Sequence, residues 1–356
     1  MCWCSMKTCA NATSPSLPLK SVHRSFSSRW LKARPPPGEQ IAAKYASFNI
    51  IDVAYKHVDG VPIPTSILVP KEQPPGKNPV LIRWHGGGCG TGHRLFADWF
   101  GDWTLDLALR HSAIVISPDY RLMPESKGVD ILQDARDFYT WLFKNASQTL
   151  PSGIDSDLSK ILVTGESAGG WLALQAGFLV PDRVAAIISH YPMVDMRSPH
   201  FTQNYEKQLM DTPQIDPRTL DDYVAKIKPG SIVTSRNPPD GSKFVAIMLQ
   251  QGSFPKYFGT EQDLYPLEML EEATSFPPTW LIHGTKDSMV PVASSEKFAA
   301  ALRKVLPETP LHVTLQEGEE HGFDLHDAVS GTPASLETPW VKSGLEFVDK
   351  FWPNKA

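Results

Sequence analysis

The chain has 356 residues, 41% hydrophobic and 21% charged, which is enough apolar content for one large α/β domain with an insertion. The formal net charge is -5 and no long Lys or Arg run is present, so we predict no nucleic-acid partner. No run of about 18 apolar residues occurs, and we therefore predict no membrane span.

The amino-terminal segment, residues 1–40, differs in composition from the rest of the chain. Residues 1–38 lack Asp and Glu, and they are basic and rich in serine and proline. The segment has no apolar signal core and its cysteines are crowded at the start, so we predict a tail on a protein of the reducing cytoplasm. One helical face of the segment is apolar, which resembles a mitochondrial presequence, and a mitochondrial location stays open as the alternative.

Beyond Gly38, short β-branched runs alternate with longer amphipathic segments, the pattern of a mostly parallel sheet flanked by helices. The predicted strands are at residues 49–57, 64–69, 79–84, 113–117, 160–164, 184–190, 278–283 and 311–315. The predicted helices are near residues 95–110, 130–145, 168–179, 293–305 and 337–351. Residues 195–276 break this rhythm with many prolines and polar residues, and we predict that they form a helical cap inserted into the 41–356 domain.

The first chemical signal is the His-Gly-Gly-Gly run at residues 85–88, directly after a predicted strand. Consecutive glycines leave backbone N–H groups uncovered, and such groups hold the anion that forms when a carbonyl is attacked. We predict an oxyanion hole made by the N–H groups of Gly86, Gly87 and Ala168. His85 itself is predicted to order this loop by hydrogen bonding.

The second signal is the sequence Gly-Glu-Ser-Ala-Gly-Gly at residues 165–170, between an apolar strand pattern and a helical pattern. A serine in so tight a strand-to-helix turn has a strained backbone and an exposed hydroxyl, and the small flanking residues prevent clashes. Ser167 is therefore the predicted nucleophile.

A serine nucleophile needs a base that takes its proton and a carboxylate that orients the base. Asp287 and His321 each lie in a loop after a predicted strand, in the chain order Ser, acid, His of the nucleophile-elbow enzymes. We predict that these residues complete a catalytic triad. The competing histidines lie at strand ends, within a strand or beyond the loop: His190, His283, His312 and His326.

These motifs, together with Pro-Asp-Tyr-Arg-Leu-Met-Pro-Glu at residues 118–125, resemble the hormone-sensitive-lipase-like family of α/β-hydrolases over about residues 45–356. The resemblance implies an α/β-hydrolase fold and a serine esterase for small to medium hydrophobic esters. It also implies structural roles for Asp119 and Glu125. Two positions depart from the family pattern: Ser288 follows the acid, and Cys89 stands where an aromatic residue often follows the glycines.

Two alternatives to an esterase stay open. The scaffold also serves lactonases, dehydratases, cyclases and acyl transferases of natural-product biosynthesis, and a catalytically silent binding protein is the other alternative. No metal-binding or phosphate-binding motif occurs, so we predict no metal and no cofactor, and a small-molecule ester as the partner. Trp99, Phe100 and Trp103 either wall an apolar pocket or pack the first helix on the sheet, and their helical spacing favours packing.

Overall fold

An eight-stranded, mostly parallel sheet organises the chain in a computed structural model that describes residues 42–74, 76–325 and 332–353. The strands are β1 (Phe48–Val58), β2 (Val61–Pro70), β3 (Gly76–Trp84), β4 (Ile114–Pro118), β5 (Ile154–Glu166), β6 (Val184–His190), β7 (Thr279–Gly284) and β8 (Leu311–Gln316). They lie in the order β1-β2-β4-β3-β5-β6-β7-β8, and only the pairings of β2 with β1 and with β4 are antiparallel. The predicted tail at 1–40 and His326 lie outside the described residues.

The helices after β3 are α1 (Asp102–Arg110), α2 (Gly128–Asn145), α3 (Ala168–Leu179), α4 (Pro199–Thr202), α5 (Arg218–Val224), α6 (Ser242–Gln250), α7 (Phe254–Phe258), α8 (Pro266–Glu272), α9 (Ala293–Val305) and α10 (Pro339–Val348). Apolar side chains alternate across the sheet, so Ile161 and Val163 join one core and Leu162 the other. The first core contains residues of α2, α3 and α9, and the second contains residues of α1 and α10. Helices therefore cover both faces, as the sequence pattern predicts for a parallel sheet.

All the predicted strands are present, and the bounds of β6, α3 and α9 agree with the prediction. Strand β5 begins at Ile154 rather than near 160, because residues 154–157 pair with residues 76–79 of β3. Helix α1 begins at Asp102 rather than near 95, because residues 97–99 form a 3-10 turn and the backbone is extended at the next two residues. The aromatic spacing alone did not indicate that break.

Residues 191–278 connect β6 to β7 and contain α4 to α8, without adding a strand to the sheet. The later part packs beside α3, where Trp171 and Gln175 donate to the carbonyls of Leu264 and Asp263, both at 2.9 Å. The earlier part reaches the glycine loop, since the N–H of Gly92 donates to the carbonyl of Arg236 at 2.8 Å. No helix of the described chain is long and apolar enough to cross a membrane.

Candidate active site

Ser167 occupies the turn between β5 and α3 with φ 57° and ψ -115°, an unfavourable backbone conformation for a residue with a side chain. Such strain costs about 1–3 kcal/mol and persists only where the surroundings enforce it. Here the N–H of Ser167 donates to the carbonyl of His190 at the end of β6, at 2.9 Å. A Cβ on Gly169 would collide with the carbonyls of Trp84 and His85, so the turn requires glycine there.

Asp287 and His321 are in direct contact, with 2.7 Å between Asp287 Oδ2 and His321 Nδ1. The other oxygen of Asp287 accepts the N–H groups of Met289 and Val290, at 2.9 and 2.8 Å. His283 Nε2 lies 3.1 Å from Asp287 Oδ2. Hydrogen bonds from its own loop and from the end of β7 thus fix the orientation of the carboxylate.

The contact with Asp287 determines how His321 is protonated. Burial acts to raise the pKa of Asp287, but the charge of His321 and the hydrogen bonds from His283 and His321 outweigh it and lower this pKa to about 2. Burial acts to lower the pKa of His321, but the charge of Asp287 and the hydrogen bond to it raise this pKa above its ordinary value. With Nδ1–H facing the carboxylate, Nε2 is the nitrogen that can accept a proton.

Tyr191 connects the serine turn to the histidine. It follows His190, the residue that accepts the Ser167 N–H, and its ring centroid lies 4.5 Å from that of His321. Within the described chain Ser167 Oγ makes no hydrogen bond, so the structure joins acid to histidine but not histidine to serine. Such catalytic hydrogen bonds commonly shorten only when substrate is bound.

The glycine loop packs directly on the serine turn, since a Cβ on Gly86 would lie 2.9 Å from the carbonyl oxygen of Glu166. Gly87 and Gly88 have φ values of 110° and 58°, which glycine adopts without the cost that a side chain imposes. In the part of the chain that the structure describes, no hydrogen bond uses the N–H groups of Gly86, Gly87 or Ala168. These donors are therefore available to an anionic oxygen.

His85 and Cys89 flank the glycines and are both buried. The His85 ring stacks on Tyr120 at 4.2 Å between centroids, and its Nδ1 lies 2.8 Å from the carbonyl oxygen of Gly86. This agrees with the predicted role of His85 in ordering the loop. Burial raises the pKa of the Cys89 thiol, which keeps it protonated and unreactive.

Asp119 and Glu125 brace the loops around the site, as the family resemblance implies. Asp119 accepts the N–H and a guanidinium N–H of Arg94, at 2.6 and 2.7 Å. Burial nevertheless raises the pKa of Asp119 to about 6. Glu125 pairs with Arg236, which also donates to the carbonyl of Gly90 at 3.0 Å. This arginine links the 191–278 segment to the glycine loop.

Phe100 and Trp103, before and within α1, pack inside the second core, whereas Trp99 is only partly buried. Trp103 stacks on His190 with centroids 5.3 Å apart, and the Arg83 guanidinium lies 4.4 Å from the centre of the Phe100 ring. Trp99 and Phe100 also border a small cavity between α1 and β5, so both predicted roles apply to this aromatic stretch. Across the described residues, no group of three or more His, Cys, Asp or Glu side chains is arranged to hold a metal ion.

Sequence reasoning missed two carboxylates on the loop that carries His321. Asp324 accepts hydrogen bonds from the Tyr191 hydroxyl at 2.8 Å and from His190 Nδ1 at 2.9 Å. Glu320 accepts from the backbone N–H of His321 at 2.8 Å. Their nearness to His321 in the sequence was a signal, but the partners of Asp324 lie 133 and 134 residues away along the chain.

The chain is similar to a known protein family and to curated proteins. The model of an α/β-hydrolase-fold family matches residues 81–325. A probable carboxylesterase M8 of Phoma sp. is 33% identical over 323 residues, which are 87% of this chain and 98% of that protein. A probable carboxylesterase clz11 of Cochliobolus lunatus is 33% identical over 50% of this chain and 86% of its own length.

A different kind of relative is the non-reducing polyketide synthase Preu6 of Preussia isomera. It is 28% identical over 88% of this chain, but the match covers only 15% of the synthase. The chain thus corresponds to a small part of that much longer protein.

Solved structures share the fold at low sequence identity. An esterase from Pyrobaculum calidifontis has a TM-score of 0.57 at 21% identity, covering 88% of this chain and 90% of its own. A protein of unknown function from Staphylococcus aureus has a TM-score of 0.62 at 18% identity, covering 85% of this chain and 99% of its own. The sheet, the family match and the identity to the Phoma protein agree, and the chain belongs to the α/β-hydrolase family, in its hormone-sensitive-lipase-like branch.

Proposed function

We propose that this protein is a serine hydrolase that cleaves carboxylic esters of small to medium hydrophobic substrates. Ser167 is the nucleophile, His321 the base and Asp287 the carboxylate that orients it. The observation that carries the proposal is the 2.7 Å contact between His321 Nδ1 and Asp287 Oδ2, and the strained backbone of Ser167 after β5 supports it. The two carboxylesterase relatives support the reaction class.

In the first half of the reaction, Ser167 Oγ attacks the ester carbonyl while His321 Nε2 takes its proton. The carbonyl π electrons move to the oxygen, which becomes an anion held by the N–H groups of Gly86, Gly87 and Ala168. Loss of one such donor costs about 3 kcal/mol in other enzymes of this kind. The C–O bond then breaks, and the alcohol leaves with the proton from His321.

In the second half, His321 takes a proton from water as the water oxygen attacks the acyl-enzyme carbonyl. The same donors hold the second oxyanion. When this intermediate collapses, the bond to Ser167 Oγ breaks, the proton returns to the serine and the carboxylic acid departs. Asp287 stays ionised throughout and stabilises the imidazolium that forms in each half.

The proposed cap is residues 195–276, which lie within the 191–278 segment that connects β6 to β7. Its helix α6 lies against the glycine loop. The two are so close that a Cβ on Gly88 would collide with the side chain of Val245. In the same segment, the backbone N–H of Met210 donates to Oγ of Ser288, the residue after Asp287, at 2.7 Å. Apolar side chains of α6, such as Val245, lie beside the glycine loop, and this supports a substrate with a hydrophobic acyl or alkyl group.

The test is hydrolysis of p-nitrophenyl esters of increasing acyl length, with a lactone and an N-formyl amide assayed beside them. Wild-type protein should release free acid. Its kcat/KM should be highest for short to medium acyl chains, and the preferred length measures the size of the acyl pocket. Ser167→Ala should lose turnover and keep its thermal unfolding temperature. Equal turnover by both purified proteins would reject the proposal.

A second candidate function is favoured by the polyketide synthase match, which covers 88% of this chain. In that case the acyl-enzyme on Ser167 passes its acyl group to an acceptor other than water, or is itself formed when Ser167 attacks and opens a lactone, in natural-product biosynthesis. The product distinguishes the two functions. Free acid from generic esters in water favours the esterase, whereas labelling of Ser167 without free acid favours acyl transfer.

A further inference from the structure

The loops that carry His321 and Asp287 are fastened to each other by a second carboxylate, Glu320. Its Oε1 accepts the backbone N–H groups of Ser288 and His321, at 2.6 and 2.8 Å. Its Oε2 accepts the hydroxyl of Ser288 at 2.8 Å. Glu320 thus binds both Ser288, which follows Asp287, and His321.

Ser288 extends this connection to the 191–278 segment. While its hydroxyl donates to Glu320, the same oxygen accepts the N–H of Met210 at 2.7 Å. Met210 has φ 50° in a tight turn closed by a bond of 2.9 Å from the N–H of Thr212 to the carbonyl of Leu209. Only a side chain that both donates and accepts can stand between a carboxylate and an N–H in this way. The hydroxyl of Ser288 meets this requirement.

We propose that Glu320 and Ser288 form a clamp that positions His321 and couples its loop to the cap, with Glu320 as a positioning residue for the reaction. The inference rests on the proposed function of Ser167, Asp287 and His321. Glu320 has no role in bond breaking, because both of its oxygens are occupied by donors of the protein.

The charge of Glu320 gives the clamp a measurable signature. The groups facing His321 are Asp287 from the loop after β7, Glu320 and Asp324 from its own loop, and Tyr191 from the end of β6. Burial acts to lower the pKa of His321, whereas Asp287, then Glu320 and then Asp324 act to raise it. The three donors to Glu320 are uncharged, so none of them neutralises its charge. Replacing Glu320 with glutamine keeps the shape and removes the charge.

The experiment measures the rate at which a fluorophosphonate labels Ser167, as a function of pH, because this rate follows the protonation of His321 whatever the natural ester is. In Glu320→Gln the acid limb of the profile should move down by about half a pH unit, less than a directly paired carboxylate gives. In Ser288→Ala, which keeps the charge, the limb should stay in place and the plateau should fall about tenfold. Ser288→Thr should restore the plateau, since it restores the hydroxyl.

The matched control is Glu317→Gln, which removes a charge from an exposed position shortly before the same loop. Its profile should coincide with that of the wild type. If the Glu320→Gln limb coincides with the Glu317→Gln limb, or if Ser288→Ala keeps the wild-type plateau, the clamp is overturned while the proposed function stands. If the wild type itself is not labelled at any pH, the proposed function fails, and the clamp falls with it.

Discussion

The ring of Tyr191 lies 4.5 Å from the imidazole of His321, between centroids, while the Tyr191 hydroxyl donates to Asp324 at 2.8 Å. Asp324 in turn binds His190 Nδ1 at 2.9 Å, and the carbonyl of His190 accepts the N–H of Ser167. The end of β6 therefore contacts both the turn that carries Ser167 and the imidazole of His321. Strand β6 therefore supports both Ser167 and His321, which no direct hydrogen bond joins.

Substitutions of Tyr191 separate the support given by its ring from that given by its hydroxyl. Tyr191→Leu removes the flat surface against His321, so we expect kcat to fall about tenfold with little change in KM. Tyr191→Phe keeps the ring and leaves one oxygen of Asp324 without its donor, which should lower the free energy of unfolding by about 1–3 kcal/mol. Steady-state kinetics and urea unfolding measure the two effects. Wild-type kcat in Tyr191→Leu would show that the ring contact is not needed.

Asp287→Asn tests the orientation of the base. The asparagine amide can present an N–H to His321 Nδ1, which favours the wrong imidazole tautomer, and the corresponding change in a related triad lowers kcat about 10⁴-fold. We expect a loss of about this size in kcat for short esters. The exposed Asp182→Asn is the matched control and should keep full activity. A loss below tenfold in Asp287→Asn would assign the acid role to another residue.

Arg236 tests whether the glycine loop depends on the cap. Its guanidinium donates to the carbonyls of Gly90 and Met123, at 3.0 and 2.8 Å, and pairs with Glu125. Lysine keeps the charge but not the fork of donors, so Arg236→Lys should lower kcat about tenfold by loosening the oxyanion donors. Arg218→Ala, at an exposed ion pair, serves as the control. Equal kcat in Arg236→Lys and the wild type would show that the proposed oxyanion donors do not depend on the contacts of Arg236 with the glycine loop.

The pH dependence follows from the Asp287–His321 pair. His321 must be neutral to accept the serine proton, and its pKa is raised, so the acid limb of kcat/KM should lie above the ordinary value of about 6.5. The depressed pKa of Asp287, about 2, stabilises the folded state above the unfolded value of about 3.9, and this stability is lost as pH falls from about 4 towards 2. The raised pKa of His321 contributes in the opposite sense, and its contribution is lost as pH rises through the folded value. Activity measured from pH 5 to 9 checks the acid limb, and urea unfolding measured from pH 2 to 9 checks the two stability contributions.

The strands, and the positions of the three candidate catalytic residues after strands, were predictable because their signals are local. The bounds of β6 and α3 follow from apolar runs and periodicity, and Ser167, Asp287 and His321 each follow a strand. A parallel sheet brings the carboxyl ends of its strands to one edge, so such residues converge without any knowledge of the loops.

The supports of the site were not predictable in this way. Glu320 meets Ser288 across 32 residues, and Asp324 meets His190 across 134. Neither contact repeats a pattern along the chain, because each depends on how an irregular loop folds over the sheet edge. The role of Arg236 depends likewise on the path of the 191–278 segment, which has no βα rhythm to indicate it.

The most direct test of the central claim is detection of the acyl-enzyme. The protein is mixed with a p-nitrophenyl ester, quenched in acid within milliseconds, digested and analysed by mass spectrometry. We predict that the mass of the acyl group appears on the peptide containing Ser167, with a matching burst of p-nitrophenol, and that both are absent from Ser167→Ala. Turnover of the ester with the acyl group on another residue, such as Cys89, or on none, would contradict the assignment.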